Sequence, residues 1–170
     1  MTQQRRCDVF FFPEMTMFVP SCIGLDGRPY MAQAGGVKKI ASDVAMSVFS
    51  AALYEAWLFS GLACPKIKSW KDVDLSWMKE SGRKSRKAFV QESIGAAMSN
   101  KNFPGQISVS IMLPDLRQKF HLGTTQTPRT IIPDSIEPTA IGKVVLKLLG
   151  EGKKIIDEGK WDPDKGRMCE

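Results

Sequence analysis

Alternation of apolar and polar positions is cleanest from Gln106 to Leu113. There Ile107, Val109, Ile111 and Leu113 fall on one side and Ser108, Ser110 and Met112 on the other. A period of two predicts a strand with one buried face. Ser93 to Met98 is its expected partner, across a turn marked by Asn100, Asn102, Pro104 and Gly105. Asp8 to Cys22 is rich in Phe, Met and Val but broken by Pro13 and Pro20, which predicts short or edge strand pieces. Gly24 to Pro29 reads as a turn around Asp26-Gly27, with Tyr30–Ala32 as the returning strand. Phe120–Leu122 and Thr130–Ile132 are expected as further short strands, and Gly123–Arg129 as the loop between them.

Two stretches switch to the helical period. After Gly35-Gly36, a helix is predicted over Val37–Ser60: Ile40, Val44, Val48, Ala51, Ala52 and Leu58 recur near helical spacing. Ala45, Phe49 and Trp57 widen the stripe, and Gly61 and Pro65 end it. The second runs from Pro138 to Leu149, with Ile141, Val144, Val145, Leu148 and Leu149 on one face, Pro138 in the first turn and Gly150 as the C-terminal stop. Lys153–Glu158 adds one charged turn. Between the long helices, Lys66–Val73 reads as a connector. Asp72 or Asp74 is expected to cap a short helix reaching Glu80 and ended by Gly82, and Ser85 to cap another through Gln91.

These elements predict one α+β domain over residues 1–159, a mostly antiparallel sheet packed against two main helices. Residues 160–170, with Pro163, Gly166 and mixed charge, are expected to form a mobile tail.

Charge adds a local feature. The formal net charge is +6, and Trp77–Phe89 alone holds five bases (Lys79, Arg83, Lys84, Arg86 and Lys87) against one acid, Glu80, so this block carries +4 of it. Such a field suits an anionic partner or a merely solvated surface. These five residues are the candidate partner-binding set. Trp70, Trp77 and Phe89 offer stacking faces to a nucleic acid, but two of the three are expected to anchor short helices in the core.

Catalytic, cofactor-binding and metal-binding sets are all expected to be absent. Cys7, Cys22, Cys64 and Cys169 form no CxxC pair, and the single His121 is remote from them in sequence. His121, between Phe120 and Leu122, has no neighbouring nucleophile or orienting acid in sequence. Gly35-Gly36-Val37-Lys38 lacks the spacing and hydroxyl of a phosphate loop. No apolar run reaches the ~20 residues of a membrane span, and Met1–Arg6 leads straight into Cys7-Asp8 without a signal-peptide pattern. The expectation is a reduced, cytoplasmic protein that binds rather than catalyses. A basic nucleic-acid-binding module and a small enzyme are the alternatives.

Two segments together carry a family resemblance: Ser81–Phe89, which leads into a strand pair, and Ile131–Leu146, a Pro-containing strand end followed by a helix with an early Gly142. In these segments the chain resembles the immunity proteins of bacterial contact-dependent growth inhibition systems. The resemblance implies a protein without cofactor or turnover that neutralises a cognate toxin domain by forming a heterodimer. Inhibitors of nucleases are often acidic, because they compete with a polyanion for a basic cleft. This chain is basic, so the resemblance implies either an acidic toxin surface or inhibition away from the substrate cleft.

Overall fold

The computed structural model describes residues 4–23, 29–32, 36–61, 75–101 and 103–169. The expected Asp26-Gly27 turn, Gly35, Cys64, the 66–73 connector with Trp70, and the Asp72 and Asp74 caps lie outside them.

An antiparallel sheet organises the chain. Strands β1 (Arg6–Phe11) and β2 (Met15–Ile23) form a hairpin, and β5 (Ile94–Ser99) and β6 (Gln106–Asp115) form another. Pairing of β1 with β5 joins them, with Arg6 opposite Ser99 and Phe11 opposite Ile94. Each outer column is shared by two short strands. Beside β2, β4 (Lys38–Ala41) pairs with Met15–Phe18 and β3 (Pro29–Ala32) pairs with Ser21–Ile23. Beside β6, β8 (Arg129–Pro133) pairs with Gln106–Ser110 and β7 (Phe120–Leu122) with Leu113–Asp115. Pro13 falls in the β1–β2 turn. Pro20 sits between the two partners of β2, where its missing N–H breaks no outer pairing.

Both faces of the sheet are covered, unequally. Cys7, Val9, Phe18, Ala96, Met98 and the four apolar positions of β6 face helices α1 (Met46–Phe59) and α3 (Pro138–Asp157), forming the main core. α1 lies over β1, β2 and β4, and α3 over β5, β6 and β8. The opposite face holds a smaller core of Phe10, Phe12, Met17, Val19, Ala97 and Met112, covered by Trp77, Phe89 and Val90. The run Phe10-Phe11-Phe12 shows the division: Phe10 and Phe12 enter the smaller core, and Phe11 packs against the main one. The α+β class with a mostly antiparallel sheet on two main helices is as expected.

Three boundaries differ from the sequence reading. The predicted Val37–Ser60 helix begins only at Met46, because Lys38–Ala41 pairs with the free outer side of β2. Ile40 and Val44 still pack on the main core, which is why the apolar spacing continues across the break. The buried side of α1 is Phe49, Leu53, Ala56 and Trp57, while Val48 and Leu58 are about half exposed. The second helix runs through Gly150 to Asp157. In its lower half Gly152 lets the helix sit close against Ile111 and Ile94, and Ile155 and Ile156 pack on the core, which carries the helix past Gly150. Gly159, at φ 66°, marks its end.

Residues 160–169, assigned to the tail by composition, form a hairpin of β9 (Trp161–Asp162) and β10 (Arg167–Met168) packed on the domain. Trp161 is buried in the main core and its Nε1–H donates to the Pro114 carbonyl at 2.8 Å. Gly166, at φ 59°, stands so close to Asp115 that a Cβ would meet its Oδ2 at 2.3 Å.

Candidate functional site

The basic block is a corner built on the smaller core. A 3-10 helix, Ser76–Ser81, ends at Gly82, whose φ of 73° lets its N–H donate to the Lys79 carbonyl at 2.9 Å. The chain turns and re-enters helix as α2 (Arg86–Gln91), capped by Ser85 Oγ, which accepts from the Ala88 N–H at 3.1 Å. Each arm drives one aromatic inward. The Trp77 ring lies 5.6 Å from Phe10 in a stacked arrangement. Phe89 meets Phe10, Phe12 and Trp77 edge-on at 5.0, 5.2 and 5.5 Å. Such pairs add about 0.5–1.5 kcal/mol each beyond their area burial. Both aromatics are spent on packing, so neither offers a stacking face to solvent.

The five candidate residues separate into two kinds. Arg83 belongs to the scaffold: its side chain is 13 % exposed, its guanidinium carbon stands 4.3 Å over the Phe12 ring, and it pairs with Glu92 at 2.9 Å and with Glu14. It also donates to the Ser81 carbonyl at 3.0 Å. The hydrogen bond from Arg83 holds the Glu14 carboxyl below its usual range. Lys79, Lys84, Arg86 and Lys87 are exposed, and none pairs with a described acid. The acids around the corner are already engaged, Glu14 and Glu92 by Arg83 and Glu80 by Lys39 at 2.9 Å. Among the described residues the corner thus presents four uncompensated cations on a frame clamped by a fifth. Sequence marked the cations but not their division, because Glu14 lies 69 residues from Arg83 and meets it only through the β1–β2 turn.

His121 lies on the other side of the same aromatic cluster, 5.0 Å from Phe10 and 6.1 Å from Phe89, ring centre to ring centre. Its Nε2 is 3.0 Å from Ser93 Oγ and 3.1 Å from the Ser93 carbonyl oxygen. Ser93 Oγ donates its own proton to the Phe89 carbonyl at 2.6 Å. A carbonyl only accepts, so the network closes with the proton on Nε2, assigned from these contacts. In that tautomer Nε2 cannot take the serine proton, and the contact is structural rather than a nucleophile–base pair. Burial pushes the His121 pKa down to about 4, against the opposing hydrogen bond to Ser93. The ring is neutral at neutral pH.

Other reactive groups are similarly engaged. Cys7 is buried and its thiol pKa is raised by desolvation. Asp115 is fully buried on its side chain and bonded to Arg117 at 3.1 Å, which keeps its carboxyl below the usual range. Ser108 and Ser110 sit on the strand face turned away from the main core. Among the described residues no group of three His, Cys, Asp or Glu is arranged to hold a metal ion, and no helix is long and apolar enough to cross a membrane.

No protein-family model matches the chain, and no curated protein sequence does. Solved structures do. The fold is similar to that of a protein of unknown function, NMB0488, from Neisseria meningitidis, with a TM-score of 0.67 and 13 % identity over 88 % of this chain and 95 % of that one. It is also similar to a chain of the CdiA-CT/CdiI toxin and immunity complex from Yersinia pseudotuberculosis, with a TM-score of 0.64 and 13 % identity over 89 % of this chain and 98 % of that one. At such identities the likeness is one of fold. A structural neighbour from a toxin and immunity complex agrees with the family resemblance read in the sequence.

Proposed function

We propose that this protein is an immunity protein, one that binds a cognate bacterial toxin domain and neutralises it by protein–protein contact. The observation that carries the reading is the fold shared, over 89 % of this chain, with a chain of a toxin and immunity complex. The His121–Ser93 geometry supports it by removing the most plausible nucleophile–base pair. In this reading the protein acts in the cytoplasm of a bacterial cell, without cofactor or turnover, as a heterodimer with its toxin. Inhibition then rests on an interface of roughly 1,200–2,000 Å² with a few central anchors.

The test is co-expression of this chain with candidate toxin domains taken from the genes neighbouring its own, followed by affinity purification and a growth assay. A complex that survives gel filtration, with rescue of growth, is the expected result. Failure to rescue growth, together with tight salt-sensitive binding to single-stranded RNA, would overturn the reading.

A further inference from the structure

We infer that the corner formed by Lys79, Lys84, Arg86 and Lys87 is a docking surface for an acidic protein face. This deepens the immunity reading and rests on it for the identity of the partner as a toxin domain. Three observations carry the assignment. The first is uncompensated charge: the described acids nearby, Glu14, Glu80 and Glu92, are bound to Arg83 and Lys39, leaving four exposed cations without a counter-ion among the described residues.

The second is rigidity. Trp77 and Phe89 pin the two arms to the sheet, and Arg83 ties the turn to Glu14 and Glu92. The cations are therefore displayed from a fixed frame, so less backbone order is lost on docking. Arg86 adds a planar fork that matches a carboxylate.

The third is what the corner lacks. Its described aromatics, Trp77 and Phe89, are buried, so among the described residues it has no platform for stacked bases, and α2 is only six residues, too short to read a nucleic-acid groove. Carboxylates on a protein surface remain the anions this geometry suits.

Binding of the full chain to poly-L-glutamate at low and moderate salt tests the surface. One variant carries Lys79, Lys84, Arg86 and Lys87→Glu. A control carries Lys143, Lys147, Lys154 and Arg167→Glu, with an identical change in net charge at exposed positions elsewhere. Urea midpoints confirm folding, and a four-alanine corner variant replaces the reversal if it unfolds. The expected result is a loss of at least about tenfold for the corner variant and under about twofold for the control. Equal losses in both would overturn the assignment. So would tighter binding of a single-stranded RNA, or of phosphatidylserine vesicles, through the same four residues.

The toxin domain separates the two readings. If the wild-type chain binds it and the corner variant binds equally well, the docking surface is wrong and the immunity reading stands. If the wild-type chain does not bind it but shows corner-dependent capture of polyglutamate, the immunity reading fails and the acidic-protein surface stands.

Discussion

Gly142 of α3 packs directly against Ser50 of α1, and substituting it tests that packing directly. A Cβ at position 142 would lie 2.2 Å from Ser50 Oγ, 3.1 Å from Ser50 Cβ and 3.4 Å from Ser50 Cα. The first contact is soft: Ser50 Oγ is buried without a hydrogen-bond partner, so no bond opposes its rotation. The second is not relieved by rotation, because Cβ is fixed to the α1 backbone. Gly142→Ala therefore forces α1 and α3 apart by a few tenths of an ångström, and such overpacking costs about 1–3 kcal/mol. Replacing a helical glycine returns about 1 kcal/mol of helix propensity. The net expectation is a loss of about 0–2 kcal/mol, measured by urea unfolding with an unchanged m-value. Ser50→Gly removes both offending atoms, so Gly142→Ala should be tolerated in that background. The double-mutant cycle should show a coupling of about 1 kcal/mol or more. A coupling below about 0.3 kcal/mol would refute close helix contact at this point.

Further outcomes concern pH, the corner frame and the C-terminal hairpin. His121 titrates at about 4 in the fold against 6.5 unperturbed, so the unfolded chain takes up the proton first. Its contribution is complete above pH 6.5 and is lost as pH falls from there toward 4, at up to about 1.4 kcal/mol per pH unit. Urea unfolding at pH 7, 6 and 5 should show this slope and His121→Gln should flatten it; parallel slopes would rule it out. Arg83→Ala exposes Phe12 and leaves Glu14 and Glu92 without their shared cation, so it should destabilise by about 1–2 kcal/mol. Lys84→Ala should stay within about 0.5 kcal/mol, and equal midpoints for the two variants would deny Arg83 its scaffold role. Trp161→Ala should cost about 3–5 kcal/mol, and ending the chain after Gly159 should destabilise comparably; a truncated chain with an unchanged thermal midpoint would mean the hairpin adds nothing.

What could be read from the sequence was what local chemistry controls. The alternation from Ile107 to Leu113, the cap at Ser85 and the Gly82 stop each depend on a few adjacent residues, and each stands where expected. What escaped depends on distant partners. Lys38–Ala41 has the spacing of a helix and becomes a strand because β2 has an open side there. Gly150 has a stop signal's identity, yet the apolar stripe beyond it carries the helix seven residues further, to Asp157. Trp161 in a polar C-terminal segment was a visible warning against a tail, since so large an apolar side chain is rarely left in water. In the corner, all five cations were visible as charge, but only the Phe12 ring and the two distant carboxylates separate Arg83 from the rest.

The divided outer columns of the sheet bear on how the protein behaves at high concentration. An exposed strand edge is a template on which another chain can hydrogen-bond, and long uninterrupted edges invite aggregation. Among the described residues the longest rim strand is β8, with five residues, and the others have three or four. Each column breaks midway, on one side at Pro20, and β4 opens with two lysines. Along the described rim a second copy finds no continuous ladder to extend, and the nine-residue β2 and ten-residue β6 lie behind it.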